Sequence, residues 1–125
     1  MPDARLNNKK LVLVVDDDQS LRESMSKLLD SRGYSVLQAE NGQEALRVLK
    51  TTPRFPRLVV LDMAMPVMDG RRFLKVRDED PILRDIPVVV VSGSEQSEEP
   101  LAGIDAWLCK PVDVSDLIEI IDQHC

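Results

Sequence analysis

Short apolar runs alternate with amphipathic stretches along this chain. LVLVV at 11–15, LVVL at 58–61 and VVVV at 88–91 are unbroken, while the runs at 35–39 and 106–109 are weaker. Unbroken runs of this length read as strands buried on both faces, and their alternation with 3.6-period segments predicts repeated βα units around a parallel sheet. Strands are expected at 11–15, 35–39, 58–61, 88–91 and 106–109.

The segments between the runs carry helix signals. The first helix is predicted to open on Ser20-Leu-Arg-Glu23 as a capping box, to bury Leu21, Met25, Leu28 and Leu29, and to stop at Gly33. A second begins after Asn41, whose side chain can cap while Glu44 reaches back, and runs through Ala45, Leu46, Val48 and Leu49 to Pro53. The third follows Asp69-Gly70, carries Phe73 and Leu74, and ends before Pro81. The last starts after Asp113 and sets Val114, Leu117, Ile118 and Ile121 on one stripe. A helix between Ser92 and Gly103 has only ten residues to occupy, and Pro100 fits only in a first turn, so at most about two turns are expected there.

Chemistry sits where the runs end. The first leads into Asp16-Asp17-Asp18, the third into Asp62, the fourth into Ser92, and the fifth into Lys110-Pro111. Ligand sites of open parallel sheets lie at the carboxyl ends of the strands, so these residues are expected to share one pocket. Carboxylates about 4 Å apart repel by ~1 kcal/mol in water and ~4 kcal/mol at an effective dielectric of about 20. A helix dipole offsets only ~0.3–1 kcal/mol of that. Asp62 also follows a buried run and is no ordinary turn residue. Hard oxygen ligands suit Mg²⁺, which keeps several waters for a phosphate to replace, and a carboxylate there can also present an attacking oxygen. Ser92 can donate to a phosphoryl oxygen, and Lys110 can supply a cation where charge develops.

Composition narrows the functions open to the chain. Its 125 residues fit one domain. With 16 Lys and Arg against 22 Asp and Glu the net charge is −6, which repels a phosphate backbone, so no direct nucleic-acid partner is expected. Arg71, Arg72, Lys75 and Arg77 read as a solvated helix face, as do Asp113, Asp116, Glu119 and Asp122. The first ten residues lack the apolar stretch of a signal peptide and no run approaches the ~20 residues of a membrane span, so a soluble, cytoplasmic protein without membrane contact is expected. Cys109 reads as a small buried hydrophobe, Cys125 as a free terminal thiol, and His124 as an exposed residue near the terminus.

The stretches LVLVVDDD, LVVLDMAMPVMDG, VVVVSGS and AGIDAWLCKP, in that order, resemble the receiver domain of two-component response regulators over residues 9–124. The resemblance implies an α/β fold: a doubly wound five-stranded parallel sheet of order 2-1-3-4-5, flavodoxin-like, here with a shortened fourth helix. Residues 1–8 would form a tail and 9–125 the receiver domain. It further implies Asp62 as phosphoacceptor; Asp16, Asp17, Asp62 and the main-chain carbonyl of Ala64 as Mg²⁺ ligands; and Ser92, Gly93, Lys110 and Trp107 as phosphate-binding or switch residues, with a cis bond before Pro111. Trp107 stands where the family usually has Tyr or Phe, and its bulk argues that it keeps one orientation.

The implied partners are a sensor histidine kinase or phosphotransfer protein upstream and a protein target or output domain downstream, any such domain lying outside these residues. Two other readings make different demands. A pseudo-receiver would bind partners without phosphate, which the full set of Asp16, Asp17, Asp62, Ser92 and Lys110 disfavours. A hydrolase of the haloacid-dehalogenase type wants an acid two residues beyond its nucleophile, where this chain has Ala64. The chain is thus expected not to be an enzyme beyond taking up a phosphoryl group and slowly losing it.

Overall fold

Five parallel strands form the centre of the molecule in the order β2-β1-β3-β4-β5. They are β1 Leu11–Val15, β2 Ser35–Ala39, β3 Leu58–Asp62, β4 Val88–Ser92 and β5 Ala106–Cys109. The computed structural model describes residues 10–63, 65–93, 104–110 and 112–124. The helices are α1 Gln19–Ser31, α2 Gly42–Thr51, α3 Gly70–Glu79 and α4 Val114–His124, with a 3₁₀ turn at Leu83–Asp85. The expected tail, and nearly all of the short helix expected between Ser92 and Gly103, lie outside the described residues. Among the described residues no helix is long and apolar enough to cross a membrane.

Strand alternation explains the unbroken apolar runs. Leu13, Val15, Val59, Leu61, Val88 and Val90 face one core with Leu46 and Leu49 of α2 and Phe73 and Leu74 of α3. Val12, Val14, Leu58, Val60, Val89 and Val91 face the other, with Met25 and Leu29 of α1 and Leu117 and Ile121 of α4. Successive side chains of one strand therefore enter opposite cores, and every residue of β1, β3 and β4 is buried. Each large aliphatic side chain so enclosed contributes ~1.5–3 kcal/mol. β2 and β5 are the sheet's edges and are only partly buried, which is why their runs are weaker.

β1 pairs with β2 on one side and β3 on the other, Leu13 lying opposite both Leu37 and Val59. Chain order reverses there, and the crevice of such a sheet opens at that reversal. β3 and β4 each run one residue past the prediction, so Asp62 and Ser92 belong to their strands, opposite Val91 and Cys109 respectively.

The structure corrects several sequence expectations. α1 is capped by Asp18, whose carboxylate accepts from the Leu21 amide at 3.1 Å, and not by Ser20. An anionic cap also complements the helix dipole, so the helix starts two residues early. Arg77 is buried rather than solvated: its guanidinium folds back to donate to the Ile86 carbonyl at 2.7 Å and pairs with Asp78 at 2.8 Å, tying the end of α3 to the turn before β4. Cys109 is exposed, being the last residue of an edge strand with one neighbour to shield it. His124 is half-buried, with Nδ1 2.8 Å from the Ile120 carbonyl one turn back.

Other helix signals correspond to observed caps. Asn41 accepts from the Glu44 amide at 2.8 Å, Asp69 from Arg72 at 3.0 Å, and Asp113 from Ser115 at 2.8 Å. Leu117, Ile118 and Ile121 are buried as expected, and Leu21 and Leu28 only half so. Tyr34 seals the far end by donating its hydroxyl to the Asp122 carboxylate.

The connection from β3 to α3 is the most constrained stretch. The Met68 amide donates to the Pro66 carbonyl at 2.7 Å, closing a three-residue turn around Val67, whose φ of 68° puts a β-branched residue in the left-handed region. The turn is held from both sides. Gly42 donates to the Met68 carbonyl at 2.9 Å, and Gly70 to the Met63 carbonyl at 3.0 Å. A Cβ at Gly70 would lie 2.6 Å from Met63 Sδ and 2.8 Å from the Asp62 carbonyl oxygen, so α3 starts against the backbone that carries Asp62.

Two outcomes follow for stability. Val67→Asn, which tolerates positive φ, should stabilise the fold by about 1 kcal/mol, raising the thermal midpoint by roughly 3–5 °C in calorimetry. Gly70→Ala should cost about 1–3 kcal/mol in urea unfolding, because the methyl has only backbone and Met63 to displace.

Candidate functional site

The ends of β1, β3, β4 and β5 bring the predicted chemistry together. Asp16 directly follows β1 and is buried. Its amide donates to the Ala39 carbonyl at 3.1 Å, and its Oδ1 accepts from the Asp18 amide at 2.9 Å. Asp17, next along, is exposed. Asp62 closes β3 and is 3 % exposed. Asp16, Asp17 and Asp62 each offer a carboxylate oxygen within 4.8 Å of the others.

The Lys110 ammonium faces this group. Lys110 Nζ lies 3.3 Å from Asp16 Oδ2 and 3.5 Å from Asp62 Oδ1. Burial pulls the Lys110 ammonium down, but Asp16 and then Asp62 raise it by more, so its pKa lies above the ordinary lysine value. It is therefore charged at neutral pH. The Lys110 amide donates to the Ser92 carbonyl at 2.7 Å, so the residue that brings the ammonium is tied to the residue that brings the hydroxyl. Ser92 itself is buried at the end of β4.

Three acids against one ammonium leave the cluster short of positive charge. The donors are all oxygens, two of the three carboxylates are buried, and their spread matches what one hard divalent cation can span with waters completing its shell. The residues present thus fit Mg²⁺.

Other predicted site residues are placed differently. Trp107 is half-buried on β5 opposite Val90 and packs against the core under α2 and α3. Its indole nitrogen is enclosed, with no hydrogen-bond acceptor among the described residues. Gly93 is exposed, and a Cβ there meets nothing within 4 Å among the described residues. The Ala64 carbonyl and the bond before Pro111 involve residues outside the described set. Asp18, third of the aspartates, turns out to be the α1 cap.

Sequence reasoning missed Arg22. Its Nη1 donates to the Asp16 carbonyl at 2.7 Å, and its Nε to Gln38 Oε1 at 3.1 Å. An arginine in the first turns of an amphipathic helix gives no sign that it folds back onto the preceding loop.

Comparison with known proteins agrees with this geometry. Residues 12–122 match the family model described as the response regulator receiver domain. A curated relative, an uncharacterized 14.6 kDa protein in the sodA1 3′ region of Leptolyngbya boryana, is 35% identical over 118 residues, covering 91% of this chain and 88% of that one. The response regulator MprA of Mycolicibacterium vanbaalenii is 36% identical over 115 residues, covering 86% of this chain but 46% of MprA, so the chain spans about half that regulator's length.

Among solved structures, a response regulator receiver protein from Pseudomonas putida superposes with a TM-score of 0.85 at 30% identity, covering 92% of this chain and 97% of that one. The chemotaxis response regulator CheY4 of Vibrio cholerae does so with 0.83 at 29% identity, covering 94% and 99%. Because the match runs through every strand whose end carries the acids, the hydroxyl and the lysine, the chain belongs to the response regulator receiver domain family.

Proposed function

We propose that this receiver domain takes a phosphoryl group from a phosphohistidine, on a sensor histidine kinase or a phosphotransfer protein, onto Asp62, and that the modified domain binds a downstream target or output domain differently. The observation that carries this reading is the placement of Lys110 Nζ between Asp16 and Asp62, with Asp17 within reach of both acids.

In the reaction a carboxylate oxygen of Asp62 attacks phosphorus. The O–P bond forms as the P–N bond to the donor imidazole breaks, and the departing nitrogen keeps the electron pair and takes up a proton from water. Asp16, Asp17 and Asp62, with the Ala64 carbonyl that the resemblance implies, would hold Mg²⁺, which would supply positive charge for an anionic donor approaching an acid-rich pocket. Lys110 meets the charge that develops on the phosphoryl oxygens, already 3.5 Å from Asp62 Oδ1. Ser92 donates its hydroxyl to the same group. A shift of Ser92 toward the phosphoryl group reaches Lys110 through their main-chain hydrogen bond and so pulls on the end of β5.

Nothing in this scheme requires turnover of a free substrate. Ala64 stands where a hydrolase would place its second acid, so no hydrolysis of generic phosphate esters is expected. A cytoplasmic phosphorelay setting is part of the same proposal.

Acetyl phosphate with Mg²⁺ should add one phosphoryl group to the wild type by intact mass, and none to Asp62→Asn or after chelation with EDTA. An unlabelled wild type would favour the pseudo-receiver reading. A second outcome concerns lifetime. Ala64 and Ser94, two residues beyond Asp62 and Ser92, orient an attacking water less well than an amide or carboxylate would, so the phosphorylated form in Mg²⁺ buffer should persist for minutes or longer. Decay within seconds would contradict that.

A further inference from the structure

The loop between β1 and α1 has an anchor that the phosphoryl chemistry does not use. Arg22, half-buried one turn into α1, spreads its guanidinium between two acceptors: the Asp16 main-chain carbonyl at 2.7 Å and Gln38 Oε1 of β2 at 3.1 Å. The carbonyl belongs to the peptide that joins the two adjacent acids. We infer that Arg22, held by Gln38, is a positioning residue that fixes the Asp16–Asp17 peptide and thereby sets the affinity of the acid cluster for a divalent cation. This rests on reading Asp16, Asp17 and Asp62 as a cation site.

The two acids differ in how they are held. Asp16 is tied by its amide to Ala39, by its carboxylate to the Asp18 amide, and by the facing Lys110. Asp17 is exposed, and its direction follows from the peptide plane before it. That plane would turn more freely without the bond from Arg22. A mispointed Asp17 must be reordered when a cation binds, which weakens binding.

The bond also neutralises a carbonyl dipole beside three carboxylates, a charge-assisted contact of short length. Only a planar fork reaches both acceptors at once; a lysine offers a single point charge. Gln38 is exposed and accepts from Arg22 Nε, so its role in this arrangement passes through Arg22.

Two effects of removing Arg22 oppose each other. Losing a nearby positive charge would by itself tighten a divalent cation by about two- to fivefold through solvent, depending on salt. Losing a partner that orients a ligand typically weakens metal binding by about 10–100-fold. Orientation therefore wins, and the sign of the change separates the two.

The test is a two-dimensional amide NMR titration of the full chain with MgCl₂, which reports folding and affinity in the same spectra. Arg22→Ala should bind Mg²⁺ about tenfold more weakly than wild type, and Arg22→Lys should recover only part of that loss. Gln38→Ala should weaken binding about two- to threefold, and the double variant should match Arg22→Ala alone, because the second loss acts through the first.

Removal of an arginine that only stabilised the helix would lower the thermal midpoint and leave Mg²⁺ affinity unchanged. Unchanged or tighter binding by folded Arg22→Ala would overturn the inference, as would additive losses in the double variant. Should Arg22→Ala not fold, unchanged affinity in Gln38→Ala overturns it. Failure of the wild type to bind Mg²⁺ at all would instead refute the cation site itself, and is read before any variant.

Discussion

Everything at the functional end of this domain answers to one electrostatic constraint: three carboxylates converge within 4.8 Å of one another and face the Lys110 ammonium. Two of those acids sit where water cannot screen them. Such a cluster persists only if the backbone holds it and the remaining charge is met from outside. The Asp18 amide, the Ala39 carbonyl, Arg22 and Lys110 supply the first part, each by a specific contact with Asp16 or Asp62. The shortfall of positive charge suits the site to a hard cation.

Holding acids in place demands a rigid support, and the sheet provides it. β1 and β3 are buried on both faces, so the ends that carry Asp16 and Asp62 cannot shift without disturbing two cores at once. The β3–α3 connection adds local stiffness. A left-handed Val67, a turn closed by Met68, and a glycine pressed against the Asp62 backbone leave that residue little room to move. Strain in this turn is sustained by the surrounding packing rather than by the turn's own preferences.

The edges of the sheet behave differently. β5 is half-exposed, carries Lys110 at its end, and is linked to Ser92 through one main-chain bond. A rigid centre thus fixes the acids beside a less buried edge that carries the cation. Trp107 lies on that edge with its ring in the α2/α3 core and its indole nitrogen enclosed, so motion of β5 and packing of that core are coupled through one side chain.

The sequence by itself determined the strands and most of the helices, because burial on both faces leaves unbroken apolar runs and each cap is a local event of three or four residues. It also determined that Asp16, Asp17, Asp62, Ser92 and Lys110 stand at strand ends, since strand ends are where those runs stop. Strand order and family came through resemblance, not from any pattern along the chain. Only the tertiary structure decided what depends on residues far apart: that Asp18 caps a helix while Asp17 joins the cluster, that Arg77 turns inward, that Cys109 stays outside, and that Arg22 reaches back to the Asp16 carbonyl. Long polar side chains have several torsions and no periodicity, so where each one ends is set by the partners that folding brings within hydrogen-bond reach.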